Sequence, residues 1–154
     1  MVNYKERYIA AHKQWFAAKY PAAWNDGHYA APVMPKIKTA NGLTKFILNF
    51  LTWSGWRATR VNTMGRLVEG SQRQPSGTVL QVKKWLPSTT RRGTADLSCT
   101  IAGRSVQLEI KVGNDKPSQF QILEQFRERA AGGVYEFCST PEQFFELYDN
   151  IVHL

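Results

Sequence analysis

The chain has 154 residues, a formal net charge of +8 and a hydrophobic fraction of 43% that includes five tryptophans. This composition excludes a disordered basic tail and predicts one globular domain with a true core. No run of about 18 apolar residues occurs, so neither a transmembrane helix nor a membrane partner is expected. The N-terminus lacks an apolar signal core, and Cys99 and Cys138 lie inside predicted strands. We therefore expect buried thiols in a reducing cytoplasm.

Positive charge is concentrated ahead of the middle of the chain. Residues 53–92 hold eight Lys or Arg and one acid, Glu69, whereas residues 122–154 hold six acids and two arginines. Charge that served only solubility would be mixed along the chain, so this segregation favours nucleic acid as a partner. The basic residues do not follow helical spacing, which argues against a membrane surface.

The first 38 residues are expected to form an N-terminal helix and an extended arm. Residues 3–20 carry apolar side chains at helical spacing and end before Pro21. Residues 21–38 contain several prolines and a glycine, which predict a loop or an extended arm. His12 lies on the apolar stripe of the helix, where packing is favoured over metal binding.

Residues 39–154 form the second predicted unit, which begins with a core helix. The helix has Thr39 or Asn41 as its N-cap and runs to about Trp53. Apolar residues at helical spacing predict which side faces the core, namely Leu43, Phe46, Ile47, Phe50 and Leu51.

A strand is predicted for residues 56–62, a loop for residues 63–74 and another strand for residues 78–86. Arginines on such a loop would suit phosphate binding beside a metal site, because a guanidinium can fork to two phosphate oxygens. The candidate substrate-binding residues of this region are Arg66, Arg73, Lys83, Lys84, Arg91 and Arg92.

Two alternating segments, residues 94–101 and 105–111, predict a β-hairpin. With Ala102-Gly103 as a two-residue turn, Asp96 lies directly across from Glu109. This register keeps the polar residues on one face and the apolar residues on the other, and a slip of one residue would mix the faces.

The Asp96 and Glu109 carboxylates would then lie side by side on the polar face. Cross-strand Cβ atoms are about 4.5–5.5 Å apart, and like charges at that distance repel. A divalent cation with oxygen ligands would compensate, and the Lys111 ammonium is a second candidate. The ordinary alternative is a solvated strand face with mixed charges.

A helix is predicted to start at Ser118 and to bury Ile122, Leu123, Phe126 and Ala130. Ser118-x-x-Gln121 is a capping-box pattern, so helix initiation and a functional role both stay open for this pair. A strand over residues 134–138 follows, and a last helix opens at Thr140-Pro141.

The ordered set Gly93-x-x-Asp96, Glu109-Ile110-Lys111 and Ser118-x-x-Gln121 resembles the PD-(D/E)xK nuclease superfamily. Within that superfamily it resembles the virus-type replication-repair nucleases (VRR-NUC) and the Holliday-junction-resolvase-like members. The resemblance covers roughly residues 41–148. It implies an α/β restriction-endonuclease-like fold, in which a mixed β-sheet is flanked by α-helices.

The resemblance also implies the chemistry, which is Mg²⁺- or Mn²⁺-dependent hydrolysis of DNA. Asp96, Glu109 and the Ile110 carbonyl would hold the metal. Lys111 and Gln121 would act on water or phosphate, with Ser118 beside the substrate. Replication, repair or a phage or other mobile element is the implied setting, and a homodimer stays open because paired-strand cutting needs two sites.

One feature departs from the family pattern. The core helix of such nucleases usually carries an acid, but no Asp or Glu occurs between Met34 and Gly65. Asn41, Thr44 or Asn49 stands nearest that place. Two alternatives follow: metal binding rests mainly on Asp96 and Glu109, or the protein is a weak or inactive nuclease-fold module that binds nucleic acid.

Overall fold

The computed structural model describes residues 3–61, 66–86 and 90–153, with only the backbone described at Arg66. The helices in these ranges are α1 Tyr4–Lys19, α2 Pro21–Asn25, α3 Ala40–Trp53, α4 Gln119–Ala130 and α5 Pro141–Val152. The strands are β1 Arg57–Arg60, β2 Arg66–Arg73, β3 Val79–Leu86, β4 Leu97–Ile101, β5 Arg104–Ile110 and β6 Val134–Cys138.

Four strands form one sheet in the order β1-β4-β5-β6. The β1–β4 and β4–β5 pairs are antiparallel, and β5 and β6 are parallel. The protein is therefore an α/β protein with a mixed sheet and flanking helices, as predicted. None of the helices in the described ranges combines the length and the apolar character needed to cross a membrane.

The β4–β5 hairpin has the predicted register. Leu97 pairs with Leu108 and Ile101 pairs with Arg104. Ala102 and Gly103 both have positive φ, of 48° and 78°, which is the type I′ geometry that matches the twist of adjacent strands. The strand alternation and the turn together place all apolar residues of the hairpin on one face.

That apolar face packs against α3 and α5 to form the core, and α1 packs on those two helices. Leu97, Val106 and Leu108 are 0% exposed. The predicted core helix is confirmed as α3, whose N-cap is Thr39 and whose Phe46 ring stacks on the Tyr8 ring of α1 at 4.5 Å. Helix α1 therefore belongs to the same hydrophobic cluster as the sheet.

The N-terminal segment differs from the sequence prediction in one respect. Residues 21–25 form the short helix α2, where an arm or loop was expected, because Pro21 takes the first helical position that suits its fixed φ. His12 packs as expected among aromatic rings. The centroid of its ring lies 4.5 Å from that of Trp53 and 5.6 Å from that of Tyr29.

The loop predicted for residues 63–74 is wrong over its described part, because residues 66–73 form strand β2. Strand β2 pairs with β3 along its whole length, from Arg66 opposite Leu86 to Arg73 opposite Val79. Residues 63–65 lie outside the described residues. The resulting two-stranded ribbon β2–β3 is separate from the main sheet. Gly70 and the polar residues that follow it give β2 the composition of a loop, which hid this strand from the sequence prediction.

Helix α4 is oriented opposite to the prediction. The residues expected to be buried are exposed, with Ile122 at 53%, Leu123 at 45% and Phe126 at 71%, and Ala130 is exposed as well. The polar side of α4 faces the protein instead, because it covers the polar face of the sheet. There Glu128 accepts a hydrogen bond from Ser105, and Gln125 donates one to the Tyr135 carbonyl.

Candidate functional site

Asp96 and Glu109 lie at the same edge of the sheet, where β4 begins and β5 ends. The Asp96 carbonyl accepts a hydrogen bond from the Val61 N–H at 2.8 Å, next to the β1–β4 ladder. The Asp96 carboxylate accepts one from the Ile110 N–H at 3.0 Å. These two bonds hold the Asp96 side chain against the end of β5, as the predicted register requires.

Glu109 is a buried carboxylate, only 5% exposed. Its Oε1 atom accepts hydrogen bonds from Gln121 Nε2 at 2.5 Å and from Lys111 Nζ at 3.1 Å. Burial and the nearby Asp96 charge raise the pKa of Glu109, and the Lys111 ammonium opposes that rise. The charge of Asp96 therefore disfavours the ionised form of Glu109, as the predicted cross-strand pairing implies.

Lys111 is 8% exposed and bridges two acids, at 3.1 Å from Glu109 and 3.2 Å from Asp115. Burial alone would lower the pKa of Lys111, but the hydrogen bonds and charges of Glu109 and Asp115 outweigh it and raise the pKa. Glu109 and Lys111 are thus buried, which does not fit the solvated strand face that the sequence left open as the ordinary alternative.

Gln121 takes part both in the N-terminal cap of α4 and in the carboxylate cluster. Its Oε1 accepts a hydrogen bond from the Ser118 N–H at 2.8 Å, which completes a capping box, and its Nε2 reaches Glu109. Ser118 accepts the reciprocal bond from the Gln121 N–H. The cap therefore fixes the rotamer that presents the Gln121 amide to the carboxylate pair.

The carboxylates line an open pocket of about 270 Å³. The pocket is lined by Thr90, Arg91, Arg92, Gly93, Thr94, Asp96, Glu109 and Gln121. Arg91 lies 3.6 Å from Glu124 of α4, while Arg92 lies over the Phe120 ring. Two guanidinium groups and two carboxylates thus meet at one opening, which suits a phosphate and a cation together.

Gly93 forms the wall of the pocket against α4. Its φ is +86°, and a Cβ there would lie 2.3 Å from the Phe120 carbonyl oxygen, so only glycine allows this approach. The Tyr135 hydroxyl donates a hydrogen bond to the Gly93 carbonyl at 2.9 Å. Burial and the nearby Glu109, Asp96 and Glu124 carboxylates raise the pKa of Tyr135, which stays a neutral donor.

The three α3 residues that could take the place of the missing acid form hydrogen bonds to other parts of the protein. Asn41 accepts a hydrogen bond from Arg60, Thr44 donates one to the Ala40 carbonyl, and Asn49 donates one to the Tyr8 hydroxyl. Across the ranges that the structure describes, no group of three or more His, Cys, Asp or Glu side chains is placed to hold a metal.

The donors that remain still suit a hard cation. Two carboxylates and a backbone carbonyl at Ile110 are oxygen ligands, which Mg²⁺ and Mn²⁺ prefer. Mg²⁺ in proteins usually keeps several waters and is held by one or two carboxylates plus substrate phosphates. The residues present therefore fit such a metal if water or phosphate completes its coordination.

The basic residues of the ribbon lie apart from the pocket. Arg73 is on β2, Lys83 and Lys84 are on β3, and none of them lines the pocket. Lys83 pairs with Glu69 at 2.8 Å. Of the predicted basic residues whose side chains are described, Arg91 and Arg92 line the pocket with the carboxylates, and the Arg66 side chain lies outside the described part of the chain. Ser118, the other predicted substrate-binding residue, caps α4 and does not line the pocket.

Sequence reasoning missed three residues that support the site: Asp115, Tyr135 and Glu124. Asp115 follows Lys111 by four residues, but its role depends on the path of a loop. Tyr135 contacts Gly93 across 42 positions, which no local pattern encodes. Glu124 belongs to a polar stripe with Gln121, and helical spacing could have revealed that stripe.

A larger cavity of about 760 Å³ lies between α1 and α5. Its charged residues include Arg7 and Asp149, which already form a two-pronged ion pair at 2.7 and 2.6 Å. Because Arg7 and Asp149 already bind each other, they are less available to a ligand than the charged groups of the pocket at the carboxylates.

Comparison with known proteins found no matching family model, no similar curated protein and no similar solved structure.

Proposed function

We propose that the protein is a metal-dependent endonuclease that hydrolyses DNA phosphodiester bonds. The observation that carries the proposal is the cluster at one open pocket, where Asp96, Glu109 and Gln121 line the opening and Lys111 contacts Glu109. With the β2–β3 ribbon set aside, the element order α3-β1-β4-β5-α4-β6 supports the restriction-endonuclease-like arrangement that the motif implies. Because Cys99 and Cys138 are both free buried thiols, we place the enzyme in a reducing cytoplasm.

Asp96, Glu109 and the Ile110 carbonyl would hold Mg²⁺ or Mn²⁺. When bound, the metal would polarise the phosphate and lower the pKa of a water. The Lys111 ammonium would orient the attacking water and balance charge that develops on the phosphate oxygens. Asp115 keeps that ammonium in place at 3.2 Å.

Gln121 and the pocket arginines would position the substrate. The Gln121 amide, already held by the capping box, would present its N–H₂ group to a phosphate oxygen or a water. Arg91 and Arg92 would contact the phosphates that flank the scissile bond. The ribbon residues Arg73, Lys83 and Lys84 would bind phosphates farther along the DNA.

The test is cleavage of single-stranded, duplex and four-way-junction DNA with Mg²⁺, with Mn²⁺ and with EDTA. Asp96→Asn is the sharpest variant, because the amide oxygen can still accept the Ile110 hydrogen bond while the charge is gone. We expect metal-dependent cutting that falls by about 10²–10⁴-fold in Asp96→Asn and in Lys111→Met. The exposed Asp26→Asn change is the matched control and should leave cutting unchanged.

A second candidate is a nuclease-fold module that binds nucleic acid without cutting it. It is favoured by the lack of an α3 acid and by the engagement of Asn41, Thr44 and Asn49 in other hydrogen bonds. Salt-sensitive DNA binding without cleavage in any metal would support this candidate and refute the nuclease. Cleavage by Asp96→Asn at the wild-type rate would refute the site itself.

A further inference from the structure

The outward face of α4 carries large apolar side chains that the core does not use. Phe120 is 50% exposed at the start of the helix, and Phe126 is 71% exposed farther along it. The inward hydrogen bonds of Gln121, Gln125 and Glu128 prevent the helix from turning this face to the core. An apolar face that is held in solvent in this way calls for a ligand or a partner.

Phe120 differs from the other exposed residues of α4 because it adjoins the pocket. Its neighbour Gln121 bonds to Glu109, and its carbonyl abuts Gly93 in the pocket wall. The Arg92 guanidinium lies over the Phe120 ring, 5.4 Å from its centroid. Within the described ranges Arg92 has no carboxylate partner, whereas Arg91 faces Glu124.

We propose that Phe120 and Arg92 form a platform for an unpaired base beside the phosphate in the pocket. The aromatic ring offers a stacking surface for any base, and the guanidinium offers a charge for the adjacent phosphate. The substrate would then carry a single-stranded nucleotide next to the cleavage site, as in a flap or a splayed end. The inference rests on the proposed function and names its substrate class.

A fully paired duplex cannot use this platform without first unstacking a base, which costs free energy. A flap or a single-stranded end presents its bases already free. The charges of Arg92 beside the ring and of Arg91 in the pocket lining suit an anionic nucleotide strand. The Phe120 carbonyl lies against Gly93 of the pocket wall, so the ring and the pocket are continuous.

The experiment compares cleavage of a splayed-arm DNA with cleavage of the fully paired duplex of the same sequence. The variants are Phe120→Ala, Phe120→Trp and the control Phe126→Ala, which removes an equally large ring from the same helix away from the pocket. Phe120→Ala should lower kcat/KM on the splayed substrate by about tenfold and leave the duplex rate nearly unchanged. Phe120→Trp should retain the preference.

Equal loss on both substrates, or an equal loss in Phe126→Ala, would overturn the platform. Sedimentation velocity of the same variants tests the competing occupant. If Phe120→Ala changes the molecular mass in solution instead of the substrate preference, the face is a protein interface and the proposal is wrong.

A binding experiment tests the platform independently of the nuclease proposal. Fluorescence anisotropy with a labelled single-stranded oligonucleotide in EDTA needs no catalysis. Loss of single-strand affinity in Phe120→Ala, in a protein that cuts nothing in any metal, would keep the platform and refute the nuclease. Unchanged affinity together with unchanged preference in cleavage would refute the platform alone.

Discussion

The two faces of the four-stranded sheet are covered by helices through different kinds of contact. On one face Leu97, Val106 and Leu108 are fully buried under α3 and α5, and contact is by apolar packing. On the other face α4 lies over Glu109 and Ser105 and is attached by hydrogen bonds. The first face holds the protein together, and the second holds charged groups close to each other.

The difference shows how a buried ion cluster is tolerated. Glu109 and Lys111 are nearly as buried as the core, but each has a hydrogen-bonded partner of opposite charge or an amide. Burying unpaired charges would cost several kcal/mol, so the polar face depends on complete pairing. A cluster of this kind is poor at stabilising a fold and is typical of functional sites.

The largest effect on stability should come from the apolar face. Leu108→Ala removes a fully buried side chain and should lower the free energy of unfolding by about 2–5 kcal/mol. Leu123→Ala, on the exposed side of α4, is the matched control and should change it by about 0.5 kcal/mol or less. Urea denaturation of both variants checks this, and equal losses would show that α4 is packed differently.

A second prediction concerns the wall between the pocket and α4. Gly93→Ala would place a Cβ 2.3 Å from the Phe120 carbonyl oxygen at a φ of +86°, so the first turn of α4 must move. Gly103→Ala has a similar φ of +78° but meets nothing within 4 Å.

Both glycine variants should lose about 1–2 kcal/mol through backbone strain. Gly93→Ala should lose more and should also weaken DNA cleavage, since Gln121 shifts with α4. Thermal unfolding and cleavage rates measured on both variants separate the effect of backbone strain from the effect of the close approach to Phe120. If both variants behave alike, strain alone accounts for the effect and the close approach is unimportant.

The smallest expected effect is a pH-dependent one at the edge of the apolar face. The Arg7 hydrogen bonds lower the pKa of Asp149 below its usual 3.8. Because the folded pKa is depressed, the ion pair stabilises the protein above that value, and the contribution is lost as the pH falls through the folded pKa.

Asp149→Asn should therefore lower stability by less than about 1 kcal/mol at neutral pH, since the carboxylate is 43% exposed and screened by water. The difference between variant and wild type should be smaller at an acidic pH, below the usual pKa of 3.8, than at neutral pH. Denaturant titrations at the two pH values test this. A difference that is constant with pH would assign the effect to packing.

Much of the fold follows from short-range patterns. The alternation of residues 94–101 and 105–111 was enough to predict the hairpin, its turn and its register, because a slip would have exposed the apolar set. The helical stripe of α3 and the caps at Thr39, Ser118 and Thr140 were equally readable. Strand β2 was not, since Gly70 and the polar residues after it have the composition of a loop.

What the sequence by itself determined is the identity of the polar hairpin face and the juxtaposition of Asp96 with Glu109. Only the tertiary structure decided which side of α4 turns inward. The helix carries both an apolar and a polar stripe, and local periodicity cannot predict which of the two stripes faces the sheet. The surface is the polar sheet face, where the polar stripe of α4 supplies hydrogen bonds to Glu109 and Ser105 that its apolar stripe could not make.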